Sequence, residues 1–117
     1  MQNYKELILW QEAHKLALNL YDASKDFPKE EIYGITAQLR RAAVSIPCNV
    51  AEGCGRHTQK DFANFLQMAL GSINETEYLI QLSKDLKYLQ QEPYNNINER
   101  LNKIRAMNIK LLEKVRK

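Results

Sequence analysis

The sequence predicts an all-α protein, an antiparallel up-down four-helix bundle with a proline break in its second helix. Three observations carry this prediction. Apolar residues recur at steps of three and four along nearly the whole chain, the mark of one helix face. The 117 residues include only four glycines and three prolines, too few for the turn density of a β-sandwich. The segments between the periodic runs are short, which makes consecutive helices antiparallel neighbours. The length suits a single domain over residues 1–117, and 44% hydrophobic residues suffice for a packed core.

The first apolar series, Leu9/Trp10, Ala13, Leu16/Ala17, Leu20/Tyr21, Ser24 and Phe27, predicts a helix over about residues 5–26 that Pro28 closes. The second series runs Ile32, Ile35, Leu39, Ala42/Ala43, Ile46, Val50 and Gly53. Its spacing persists across Pro47, which removes one backbone donor and crowds the preceding turn, so either a kinked helix or two shorter ones are expected. Gly53 and Gly55 are read as its end. Thr58 to Asp61 has the form of a capping box with Asp in place of Glu. Behind it Phe62, Phe65/Leu66, Ala69/Leu70, Ile73, Thr76, Leu79/Ile80 and Leu86 predict a third helix reaching about Lys87. Pro93 suits the first turn of a fourth, supported by Tyr94, Ile97, Leu101, Ile104, Leu111/Leu112 and Val115. The apolar residues of the third helix cover more than one core-facing stripe. Met68, Leu79, Leu82 and Leu86 flank that stripe and are candidates for an interface between subunits.

Charge is unevenly distributed. Residues 1–92 carry ten Lys/Arg against twelve Asp/Glu, whereas residues 93–117 carry seven against two, a local balance of +5 within a net +3. A basic terminal segment points to a polyanionic partner, because Lys/Arg neutralisation of phosphates gives sequence-independent affinity. The alternative is a solvated helix face whose cations sit favourably near a helix C-terminus. No apolar run is long enough for a membrane span, and the first residues lack a signal-peptide layout, so a cytoplasmic protein is expected. Cys48 and Cys54, six apart on one helix, project in different directions and are expected to remain thiols.

Parts for catalysis are missing. His14 and His57 lie far apart in sequence, no Cys-x-x-Cys occurs, and Gly53-Cys54-Gly55 lacks the end of a phosphate-binding loop. No enzyme activity, metal or cofactor is expected. The polar residues that stand out are Arg40, Arg41, Asn49, Glu52, Arg56 and Lys60. Consecutive Arg40 and Arg41 diverge by about 100°, so one is expected to pair with an acid, Glu52 or Glu75. Asn49 and Glu52 share a face just after Pro47 and are read as structural, satisfying backbone groups that the proline frees. Arg40, Arg41, Arg56 and Lys60, with Lys103, Arg105, Lys110, Lys114 and Arg116, form the candidate nucleic-acid-binding set.

The run from Phe27-Pro28 through Tyr33-Gly34, Gln38-Leu39-Arg40-Arg41-Ala42-Ala43 and Ile46-Pro47 to Asn49-Val50-Ala51-Glu52-Gly53 resembles the four-helix-bundle family of 23S ribosomal RNA intervening-sequence proteins. Trp10-Gln11, Lys60-Asp61-Phe62, Phe65-Leu66, Ala69-Leu70-Gly71-Ser72 and Glu75 match it too. The resemblance implies an antiparallel bundle assembled as a ring of five, without enzyme activity. It is also similar to the nucleic-acid-associated accessory protein of diversity-generating retroelements. Two functions are therefore expected to compete: an oligomeric, most simply pentameric, module that contacts RNA or DNA phosphates, and a scaffold that docks a partner protein.

Overall fold

A computed structural model describes residues 2–117. Four helices follow one another, α1 Ile8–Ala23, α2 Ile35–Cys54, α3 Gln59–Asp85 and α4 Gln91–Arg116, with short 3-10 turns at Tyr4–Glu6, Ser24–Asp26 and Lys29–Glu31. α2 packs most extensively on α3 and α3 on α4, while α1 closes the bundle against α2 and α4. The result is a rod of 43 × 24 × 20 Å, its length set by the 27 residues of α3 at about 1.5 Å each. Leu16, Leu20, Leu39, Ile46, Leu66, Ile73, Ile80, Leu101 and Ile104 are fully buried along its axis.

The start of α3 obeys its capping signal: the Thr58 hydroxyl accepts from the Asp61 N–H at 3.1 Å. Its end is a left-handed turn. Lys87 takes φ 67°, and the Tyr88 N–H reaches back to the Ser83 carbonyl at 2.9 Å, closing the helix without the glycine usual there. The phenol of Tyr88 donates to Glu31 at 2.9 Å and ties this turn to the α1–α2 connection. That carboxylate, with desolvation behind it, holds the phenol above its ordinary pKa.

Around Pro47 the structure decides between the two expected alternatives and corrects the sequence reading in two respects. α2 is a single helix from Ile35 to Cys54 with Pro47 inside it, not two helices. It begins at Ile35, leaving Ile32 exposed ahead of it. The carbonyl that Pro47 deprives of a donor is that of Ala43, four residues earlier, and neither Asn49 nor Glu52 bonds to it. Asn49 instead donates to the Ser45 carbonyl at 2.9 Å and to the Ser45 hydroxyl at 3.1 Å. Ser45 in turn meets Ser72 of α3, hydroxyl to hydroxyl. Asn49 is structural, but as a strut of the α2–α3 seam. Glu52 is exposed and pairs with Arg56 at 2.9 Å. Asn49→Ala is accordingly expected to lower unfolding free energy by about 1 kcal/mol, and Glu52→Ala by less than about 0.5 kcal/mol, read from urea titrations of the two variants.

Gly53 also differs from expectation. It lies within α2 and is buried, and Gly55 is the C-cap. A Cβ at Gly53 would meet the Phe62 ring and the Phe65 Cβ, each at 2.9 Å. The glycine permits close approach of α2 and α3.

Candidate nucleic-acid interface

The nine basic candidates divide into those that the fold occupies and those left facing solvent. Arg40 is occupied. Its Nε donates to the Ser24 hydroxyl at 2.8 Å and its Nη2 to the Tyr21 carbonyl at 3.2 Å, and its guanidinium lies 4.7 Å from the centre of the Tyr21 ring. Ser24 itself donates to the Leu20 carbonyl. These are carbonyls of the last turn of α1, the helix end that carries partial negative charge. The expectation that one of Arg40 and Arg41 pairs with Glu52 or Glu75 is thus corrected: the inward one, Arg40, is held by a helix terminus.

Arg105 is occupied as well. It bridges α4 to α3 through Glu77 at 3.1 Å and Asn74 at 3.1 Å and is mostly buried, with 22% of its side chain exposed. Arg116 donates to Gln67 of α3 at 3.2 Å. Lys103 faces Glu99 at 3.7 Å along the α4 surface, an exposed pair of little energetic weight. Arg41, Lys60, Lys110 and Lys114 are exposed and have no hydrogen-bond or ion-pair partner among the described residues. Lys103, Lys110 and Lys114, spaced seven and four apart, line the outer face of α4, with Lys117 just beyond its end.

The topology gathers part of this set at one end. An up-down bundle places the chain start, the α2–α3 turn and the end of α4 together. Lys5, Arg56, Lys60, Lys114, Arg116 and Lys117 therefore share one pole. A hollow of about 320 Å³ opens there, lined by Arg56, Gln59 and Lys114 over Phe62, Leu111 and Val115. The Arg56 guanidinium packs over the Phe65 ring at 4.6 Å, and α3 directs its N-terminal amides toward the same pole. The sequence reading did not include Lys5 or Lys117, because nothing local to them signals that the topology brings them to Arg56. The opposite pole, built from the α1–α2 connection and the α3–α4 turn, carries Asp22, Asp26, Glu30, Glu31, Asp85 and Glu92.

A family model described as 23S rRNA-intervening sequence protein matches residues 5–110. The chain belongs to this family. Among solved structures, the intervening-sequence chain is similar to a protein of unknown function from the S23 ribosomal protein family of Bacteroides thetaiotaomicron. The two share 26% identity and a TM-score of 0.84, over 91% of this chain and 96% of that one. No curated protein matches the chain.

His14 stacks on Trp10, their rings 5.1 Å apart. Cys54 is buried and its thiol pKa is pushed up by that burial, against the lowering effect of a Gln2 hydrogen bond, whereas His57 is exposed in the α2–α3 turn. No three His, Cys, Asp or Glu side chains converge as a metal site among the described residues. No described helix is long and apolar enough to cross a membrane.

Of the four interface candidates on α3, Leu79 is corrected: only 2% of it is exposed and it belongs to the core. α3 packs against both α2 and α4, so its buried arc is wide and Leu79 falls inside it. Leu82 is half-buried against the core. Met68 and Leu86 remain on the surface, 47% and 45% exposed.

Proposed function

We propose that this intervening-sequence protein is a non-enzymatic assembly module, a ring of five copies that associates with RNA or DNA through phosphate contacts. The observation that supports the reading best is the hollow at the basic pole, where Arg56 of the α2–α3 turn, Gln59 of α3 and Lys114 of α4 converge beside the amino end of α3. Guanidinium, ammonium and amide donors of this kind hold phosphate oxygens, which position a nucleic acid without reading its sequence. The unpaired lysines of α4 extend the same surface along the rod. Five copies multiply a net charge of +3 per chain to about +15, a potential that draws polyanions. Among the described residues the basic pole has no platform of exposed aromatics for stacking unpaired bases, so binding is indifferent to sequence.

The test is a filter-binding titration against salt. Lys60→Gln/Lys110→Gln/Lys114→Gln removes three cations that hold nothing in the fold. The triple variant is expected to bind about tenfold more weakly at low salt and to flatten the salt slope by about 2 to 3. Arg105→Gln is the contrasting control and is expected to lower stability. No retention of RNA or DNA by the wild-type protein at low salt overturns the reading and leaves a scaffold that docks a partner protein.

A further inference from the structure

The hollow at the basic pole differs in charge from the other large depression of the surface. The groove of about 940 Å³ between α1 and α4 sets four carboxylates against three cations, so its charge nearly cancels. The hollow of about 320 Å³ is lined by Arg56 and Lys114 and, among the described residues, by no acid. Arg56, Gln59 and Lys114 are exposed at its rim, whereas Phe62 and Val115 below them are only 6% and 8% exposed. Pockets that take small organic ligands combine an apolar lining with a few converging polar groups, and about 300 Å³ is the low end of their range.

Arg56 is held on two sides. Its Nη2 donates to Glu52 at 2.9 Å, and its guanidinium lies over the Phe65 ring at 4.6 Å. A guanidinium carries five N–H groups, so the single bond to Glu52 fixes the side chain and leaves donors over. The side chains of Gln59 and Lys114 have no hydrogen-bond or ion-pair partner among the described residues. An internal phosphodiester carries one negative charge and continues as chain on both sides, which suits an open surface. A terminal phosphomonoester carries about 1.5 to 2 negative charges and three acceptor oxygens, which suits cations converging on a closed hollow. Phosphate alone makes no use of the apolar floor, whereas the flat face of an attached base covers it. We propose that this hollow binds the end of a nucleic-acid strand, a nucleotide with a terminal phosphomonoester. The phosphate lies on Arg56 and Lys114, and the base lies over Phe62, Leu111 and Val115. The inference rests on the basic pole as the nucleic-acid contact and adds that this contact distinguishes ends from interior.

The experiment is fluorescence anisotropy with single strands of one sequence, labelled internally and ending in a 5′-phosphate, a 3′-phosphate or hydroxyls alone. One phosphorylated strand is expected to bind at least about fivefold more tightly than the hydroxyl strand, because charge-assisted bonds to a dianion are the strong ones. Which strand it is identifies the end. Free nucleoside monophosphate of the same phosphate position is expected to displace this extra binding, and inorganic phosphate at equal concentration is not. Arg56→Gln and Lys114→Gln are each expected to abolish the preference while circular dichroism keeps its helical signal. Equal binding of the three strands overturns this inference alone and leaves internal phosphate contacts standing. A preference that both variants retain places the end elsewhere and also overturns it, as does displacement by inorganic phosphate as effective as that by the nucleotide. No binding of any strand at low salt overturns the basic-pole reading and this inference together.

Discussion

Replacement of Gly53 by alanine is expected to lower unfolding free energy by about 2 kcal/mol, an overpacking penalty from which the better helix propensity of alanine subtracts less than about 1 kcal/mol. The reason is where the added methyl goes. It would stand 2.9 Å from both the Phe62 ring and the Phe65 Cβ. An aromatic ring edge can swing aside, but the Phe65 Cβ is one bond from the backbone of α3 and moves only with the helix. The two helices must part locally, opening the Ser45–Ser72 contact further along the same seam. Urea unfolding followed by circular dichroism measures the change. An unchanged midpoint would mean that α2 and α3 slide apart at no cost, contrary to this account of the glycine.

The second large effect has the opposite sign. Asn108→Leu is expected to raise stability by about 1–2 kcal/mol. Asn108 is fully buried. Its Nδ2 donates to the Leu66 carbonyl at 2.9 Å, but its Oδ1 has no partner, and a buried acceptor left unpaired carries its whole desolvation penalty. Leucine removes that orphan and adds apolar surface. Leu66 lies in the interior of α3, so its carbonyl keeps the N–H of Leu70 as a helical partner. Asn108→Ala serves as the control: it removes the same orphan but leaves a cavity, and is expected to destabilise. Thermal melts of the three proteins separate the cases, and a leucine variant less stable than the wild type would show that the single bond to Leu66 outweighs the unpaired oxygen.

What could be read from the sequence was whatever depends on neighbours along the chain. The four helices follow from apolar spacing, and the Thr58 cap follows from a hydroxyl three residues before Asp61, since both signals act within one or two turns. Pro47 was harder. Its effect depends on whether packing on both sides can hold a helix together despite a missing donor, and here buried Ile46, Pro47 and Val50 are part of a continuous core. The role of Arg40 is not legible locally, because its partners lie 16 and 19 residues away at the end of another helix, and carbonyl dipoles leave no trace in a list of acidic residues. Leu79 was misplaced because the width of a buried arc depends on how many helices surround it. Arg105 looked like a surface cation until Glu77 and Asn74 faced it across the α3–α4 seam. Within the candidate site, Arg56 and Lys60 could be read as a basic turn, whereas their meeting with Lys114 depends on the antiparallel order of all four helices.

The connectivity has a kinetic consequence. Three of the four helix seams join helices consecutive in the chain, and the most extensive, α2 with α3, spans a link of only four residues, 55–58. Closing so short a loop costs little chain entropy. The α2–α3 hairpin is thus the natural nucleus, with Gly53 at its tightest point. Only the α1–α4 seam must bring together distant parts of the chain. A topology dominated by local closures places the protein among fast folders, in the range of microseconds to milliseconds, and leaves a growing chain few long-lived partly exposed states from which to aggregate.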